Sequence, residues 1–153
     1  NGDELDCFGT NGKMNEFSAT MGLCNLRHID GEIASRGEAY KLYDQRLSGI
    51  AGIKLLPLRK GITQNYAYYP VMLDKQVFGK SRDEIIASLA EHGVAARKYF
   101  YPLVSENLEF GCDMTKETPY AKAVSRKILC LPLFAHLALT DVDTICDYIL
   151  QLI

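Results

Sequence analysis

Apolar residues recur every third or fourth position from the first methionine onward: Met14, Phe17, Met21, Leu26, Ile29, Ile33, Tyr40 and Leu47. That spacing lays them along one helical face, so it predicts helix over 15–47. Asn15 supplies a side-chain cap and Glu16 sits where the positive helix end favours an acid. Gly22, Gly31 and Gly37 weaken the helix, so a break near residues 28–31 is expected, giving two abutting helices or one bent one. Ser48 and Gly49 stop the run.

The pattern then changes period. Ile53, Lys54, Leu55 and Leu56 form a short apolar stretch halted by Pro57. Residues 65–73 (NYAYYPVML) are aromatic and β-branched and read as a strand, with Pro70 calling for an edge position or a bulge. Ser81 and Glu84 make a capping box ahead of Ile85, Ile86 and Leu89, and His92 with Gly93 closes that helix. A short strand is expected over 94–97, an irregular stretch over 105–118, and a helix beginning at Pro119. Residues 128–133 (ILCLPL) read as a strand. Thr140 with Asp143 caps a last helix carrying Val142, Ile145, Ile149 and Leu152. Residues 1–13, with Gly2, Gly9 and Gly12, read as an extended segment entering from something upstream. Together these elements describe an α+β fold, a short and mostly antiparallel sheet covered by helices on one face.

Composition changes the picture only by exclusion. At 153 residues, 48% hydrophobic and 24% charged, the chain falls in the class that folds around its own core. Seventeen basic against nineteen acidic residues leave a net charge of -2, which argues against a dedicated binder of nucleic acid or of an anionic membrane. No apolar run reaches the ~18 residues that a membrane span needs. Cys7, Cys24, Cys112, Cys130 and Cys146 are odd in number and scattered, which favours reduced thiols and a cytoplasmic setting over a disulfide or zinc framework. His28, His92 and His136 stand in separate elements and read as solvent-facing or capping residues.

Two segments carry candidate chemistry. Residues 9–15 (GTNGKMN) form a glycine-flanked polar loop entering a helix, where backbone amides, the Asn11 amide and the Lys13 ammonium could hold a phosphate. A plain helix cap with turn glycines explains the same residues. In residues 97–103 (RKYFYPL), Arg97, Tyr99 and Tyr101 could emerge at a strand end to grip carboxylates, hydroxyls or phosphates. An aromatic packing corner is the competing reading.

At these segments the sequence resembles a known family. The run GTNGKMNEFSATMGL, followed by Leu26, Ile29, Asp30 and Arg36, is similar to a characteristic segment of the DegT/DnrJ/StrS sugar aminotransferases. The likeness continues through residues 65–71 (NYAYYPV), 92–103 (HGVAARKYFYPL), 129–133 (LCLPL) and the final helix. The resemblance implies the carboxy-terminal part of an aspartate-aminotransferase-like fold: the end of the large domain with its linking helix over 1–47, and the small domain over 48–153. It implies pyridoxal 5'-phosphate as cofactor, nucleotide-linked keto-sugar and glutamate as substrates, and a homodimer. By this likeness Asn11 reaches the cofactor phosphate of the partner subunit and Lys13 adds a charged contact. Arg97, Tyr99 and Tyr101 become substrate contacts. The family's cofactor-anchoring lysine lies upstream of this chain, and Lys13 does not match it, so no catalytic residue is assigned. Relatives that are dehydratases, or a non-catalytic interaction module built on the same domain, are the alternatives. Many members carry a histidine soon after the proline, whereas here Leu103, Val104 and Ser105 follow, so sugar specificity does not carry over.

Overall fold

The computed structural model describes residues 12–106 and 118–153. They belong to two compact units, 1–31 and 32–153. The first contains helix α1 (Glu16–Leu26) and the start of α2 (Ile29–Leu47). The expected break falls at Arg27 and His28, and Asn15 caps α1 as expected, its Oδ1 accepting from Ser18 N at 2.8 Å. No residue of α1 is buried: Phe17, Met21, Leu23 and Leu26 stand exposed, Phe17 by 87%, as does Met14 just before the cap. The helical spacing was a correct guide to helix there, while its apolar stripe finds no core.

The second unit is built on a three-stranded antiparallel sheet in the order β1 (Ile53–Leu55), β2 (Tyr69–Leu73), β3 (Ile128–Leu131). Along β2 the residues Tyr69, Val71 and Leu73 are buried and alternate with half-buried Pro70 and Met72. Opposite them on β3 stand Leu131 and Leu129. This face meets Leu47 of α2, Ile85 of α4 (Arg82–Glu91) and Ile149 of α6 (Leu139–Leu150) around a gap of only about 10 Å³. Packing this tight is the density of a protein interior, where losing one such side chain costs about 2–5 kcal/mol.

Several expectations are corrected, and one element appears that no sequence signal foretold. Pro70 lies in the central strand, not at an edge. It pairs with Cys130, whose N and O both bond to Arg97 instead, so the Pro70 ladder position points toward β1, and β1 has already ended at Leu55. The missing N–H therefore breaks no ladder bond. Residues 94–97 form no strand beyond a single bridge between Arg97 and Cys130 (N to O, 3.0 and 2.8 Å). Val94 N is drawn to Leu89 O to close α4, so only Arg97 reaches pairing register. The last helix starts earlier than Thr140, behind Ala138 and with no side-chain cap. A short helix α3 (Lys75–Phe78), capped by Asp74, fills a stretch with no periodic signal. Helix α5 (Pro119–Ser125) carries its proline in the first turn as expected.

The capping box is present in full. Glu84 accepts from the Ser81 N–H (2.8 Å) and hydroxyl (2.6 Å), and these bonds with Lys75 hold its carboxyl down at about 2. Arg82 is buried beside it, donating to Ser125 O and to Asp83. Across the unit, Arg46 of α2 forks to Asp143 and Asp147, one turn apart on α6. Cys130 and Cys146 are free and buried, Cys24 free and exposed; Cys7 and Cys112 lie outside the described residues.

Gly52 has φ +81°, and a Cβ there would lie 2.5 Å from Phe78 N. Gly49 has a similar φ of +77° with open space around it. Gly49→Ala should cost about 1 kcal/mol for the left-handed backbone alone, and Gly52→Ala about 3 kcal/mol because α3 must also move. Urea denaturation of the two variants gives the comparison, and equal losses would contradict the close contact.

Candidate functional site

Helix α2 carries an aromatic cluster onto the sheet. Tyr43 stacks on Tyr69 with ring centroids 4.6 Å apart, and Tyr40 meets Tyr69 edge-on at 4.7 Å. A buried phenol needs a partner for its hydroxyl. Tyr69 donates to Asp44 Oδ1 at 2.8 Å and Tyr43 to the Pro132 carbonyl at 3.1 Å. Burial holds the hydroxyls of Tyr43 and Tyr69 well above the ordinary tyrosine range, and for Tyr69 the bond to Asp44 adds to it. Burial likewise pushes the Cys146 thiol from 9.0 up to about 12.

Pro132, which accepts from Tyr43, is one of the residues that line a cavity of about 670 Å³. Its walls are the turn at 67–68, the segment 92–99, the loop 130–137 and one side of α6. The first three of these walls are tethered. The Ser35 hydroxyl donates to Ala135 O, and Tyr43 holds Pro132. The guanidinium of Arg36 donates to Asn65 O from Nε (3.2 Å) and Nη2 (3.0 Å), while Asn65 Oδ1 accepts from Ala67 N. The Arg97 bridge to Cys130 ties the 92–99 segment to β3.

Within the cavity Arg97 Nη1 donates to the Tyr99 hydroxyl at 2.7 Å, and Tyr68 meets the Tyr99 ring edge-on at 5.3 Å. At the other end His92 stacks on Tyr148 at 4.1 Å, with its Nδ1 2.9 Å from Ser88 O. Asp141 and Thr144 of α6 line the cavity as well. The floor is apolar, with Leu131 and Ile145. A cationic guanidinium, phenol hydroxyls and aromatic faces over an apolar floor suit a ligand that combines a ring with anionic or hydroxyl groups.

The cavity gathers two of the sequence candidates, Arg97 and Tyr99. Tyr101 does not line it: its ring lies against the guanidinium of Arg82 (4.8 Å) and the Lys98 ammonium (5.9 Å), the packing-corner arrangement. Lys13 is exposed, in the extended segment just before α1 in the other unit. Asn11 lies outside the described residues. Tyr68, His92 and Tyr148 were not singled out for the site. Tyr68 sits inside the NYAYYPV run, the one advance sign of its placement, while His92 carried the signal of a helix end and does fill that role. Among the described residues no group of three or more metal-ligating side chains converges, and no helix is long and apolar enough to cross a membrane.

The profile of the DegT/DnrJ/EryC1/StrS aminotransferase family matches residues 2–150. The chain is 37% identical over 132 residues to a dTDP-4-amino-4,6-dideoxy-D-glucose transaminase of Escherichia coli, covering 84% of this chain and 35% of that protein. It is 32% identical to the enzyme of the same name from Shigella dysenteriae, covering 97% of this chain and 40% of that one. Spr1654 from Streptococcus pneumoniae, solved in apo, PMP and PLP forms, superposes in its apo form with a TM-score of 0.77 at 26% identity, covering 91% of this chain and 35% of that one. S. venezuelae DesV shares the fold, with a TM-score of 0.82 at 20% identity over 99% of this chain and 40% of that one. The chain thus spans little more than a third of the length of the relatives it matches.

The raised hydroxyls of Tyr43 and Tyr69 and the raised Cys146 thiol predict how stability responds to alkali. A group whose folded pKa exceeds its unfolded one favours folding below the unfolded value and loses that contribution as pH climbs toward the folded one. The urea midpoint should hold up to pH 9.0, where Cys146 begins to titrate in the unfolded chain, and fall from there to 12. Tyr43→Phe, which cannot ionise, should flatten the fall above pH 10.0; a slope unchanged from wild type would contradict the assignment.

Proposed function

Because the chain belongs to the DegT/DnrJ/EryC1/StrS aminotransferase family, we propose that it is the carboxy-terminal part of a pyridoxal-phosphate-dependent transaminase acting on a nucleotide-linked keto-sugar, with glutamate as amino donor. The observation that carries this reading is the pairing of Arg97 and Tyr99 in the large cavity, within a chain whose family match runs almost end to end. The relatives from Escherichia coli and Shigella dysenteriae, both dTDP-4-amino-4,6-dideoxy-D-glucose transaminases, support a nucleotide-sugar substrate. A homodimer completes the reading, with Asn11 addressing the cofactor of the partner subunit.

The residues present fit a supporting part in the cofactor site. By its chemistry the Asn11 amide is a neutral directional donor, and Lys13 is an exposed cation two residues before Asn15, whose side chain is engaged with Ser18. Such a donor set suits a phosphate group. No described lysine is buried, whereas a lysine used as a covalent anchor or proton carrier is tuned by burial. Pyridoxal phosphate, when bound, supplies the electron sink for amino transfer.

This chain's own residues would then bind and orient. Arg97 offers charge-assisted donors to the anionic part of the substrate, and its bond to Tyr99 fixes the guanidinium plane. Tyr68 and Tyr99 present ring faces and hydroxyls to a sugar or a base. The apolar floor excludes water around them. Binding energy gathered here, away from the reacting carbon, lowers the entropic cost of bringing the keto group to the cofactor.

In the full-length enzyme, Arg97→Ala should raise the KM for the nucleotide-sugar by about tenfold, the equivalent of one good charged contact. The half-reaction with the amino donor should keep its rate, since no donor contact is assigned to this cavity. Steady-state and half-reaction kinetics decide it. An unchanged sugar KM, or an equal loss in the donor half-reaction, would contradict the assignment.

A further inference from the structure

Arg36 makes no contact with the cavity, yet it holds the turn from which one wall grows. Its guanidinium places two donors, Nε and Nη2, on the single carbonyl oxygen of Asn65, and its third nitrogen faces Glu32 at 3.9 Å. The Arg36 side chain is only 17% exposed, so its stem is packed and the fork approaches the exposed Asn65 carbonyl from a fixed direction. Asn65 in turn takes the Ala67 N–H on its side-chain oxygen at 3.2 Å.

Between these anchors Tyr66 sits at φ 49°, in the left-handed region that residues with a Cβ rarely adopt. A strained residue persists only where its surroundings determine it, and here they do. The Tyr66 ring lies over Gly37, where a Cβ would stand 2.9 Å from the ring, and against Tyr40 at 5.3 Å. The left-handed step turns the chain so that Tyr68, two residues on, meets Tyr99 edge-on, and Tyr99 receives Arg97. Arg36, Asn65, Tyr68, Tyr99 and Arg97 thus form one connected series from α2 to the cavity.

We propose that Arg36 is a positioning residue for the nucleotide-sugar: acting through Asn65, it sets Tyr68 against Tyr99 and Arg97. The proposal rests on the substrate reading given above. Lysine cannot replace it fully, because a single ammonium fixes distance to the carbonyl without fixing direction.

The test is steady-state kinetics of the full-length enzyme carrying Arg36→Gln, Tyr68→Ala and both together, with the sugar and the amino donor varied separately. Arg36→Gln should raise the sugar KM by about tenfold and leave kcat and the donor KM within about twofold of wild type. Because Arg36 acts through Tyr68, the double variant should be no worse than Tyr68→Ala alone, a coupling that general destabilisation would not produce. Arg36→Lys keeps the charge and one donor; should Arg36→Gln fail to fold, it carries the test, with a smaller rise in the sugar KM. Additive effects of Arg36 and Tyr68, an equal rise in the donor KM, or an unchanged sugar KM would overturn the proposal. If Arg97→Ala and Tyr68→Ala also leave the sugar KM unchanged, the substrate reading itself fails; if they raise it and the Arg36 variants do not, only the positioning role fails.

Discussion

The stacked pair of Tyr43 and Tyr69 is the contact on which the second unit turns. Two large rings give up water together, and each hydroxyl must then find an acceptor inside or leave a costly orphan. The two solutions point in different directions. Tyr69 returns its hydroxyl to Asp44 on α2, locking helix to central strand, while Tyr43 sends its own outward to Pro132, past the end of β3. One stacking contact therefore fixes both the core and the loop that walls the cavity. Arg46 extends the same helix to α6 through Asp143 and Asp147, so three elements are referenced to one post.

This arrangement explains why a cavity lined by turns and loops can have definite geometry. Loops carry function when a rigid scaffold sets their ends. Here α2 supplies that scaffold with four successive kinds of contact: Ser35 to Ala135, Arg36 to Asn65, Gly37 beneath Tyr66, and the tyrosines Tyr40 and Tyr43 against the sheet. The cavity-lining side chains Arg97, Tyr99 and Tyr68 meet at the far end of those tethers, Tyr99 touching both of the others. Alpha helix α1 is the opposite case: its apolar side chains are exposed and nothing in the described residues covers them.

Local signals were legible in the sequence because local physics writes them. The Asn15 cap, the break at Arg27 and His28, the capping box of Ser81 and Glu84 and the closure at His92 and Gly93 all depend on neighbours within a turn. Features set by distant partners were not. Pro70 read as an edge residue, because nothing local reveals that β1 stops one residue short of it. Residues 94–97 read as a strand, because the demand of α4 for a closing N–H competes invisibly with pairing. Of the candidate site, the 97–103 segment stood out by its arginine and tyrosines, and Arg97 and Tyr99 of that segment line the cavity. Tyr101, two residues on, has the same chemistry and faces Arg82 instead, a distinction only the fold makes. Arg36 was visible as part of the likeness to the family without a role, since its partner is a backbone carbonyl that any residue at position 65 would supply.

Amide hydrogen exchange on the chain carrying Tyr43→Ala tests most directly whether the tyrosine contact organises both core and cavity. The amides of Ala67, Arg97 and Cys130, each bonded in a different wall, report on the cavity without touching Tyr43. Loss of the contact should accelerate exchange at all three together with the amide of Leu73 on the central strand. Acceleration at Leu73 alone, with the three wall amides protected as in the wild type, would show that the walls are set by something other than the Tyr43 contact.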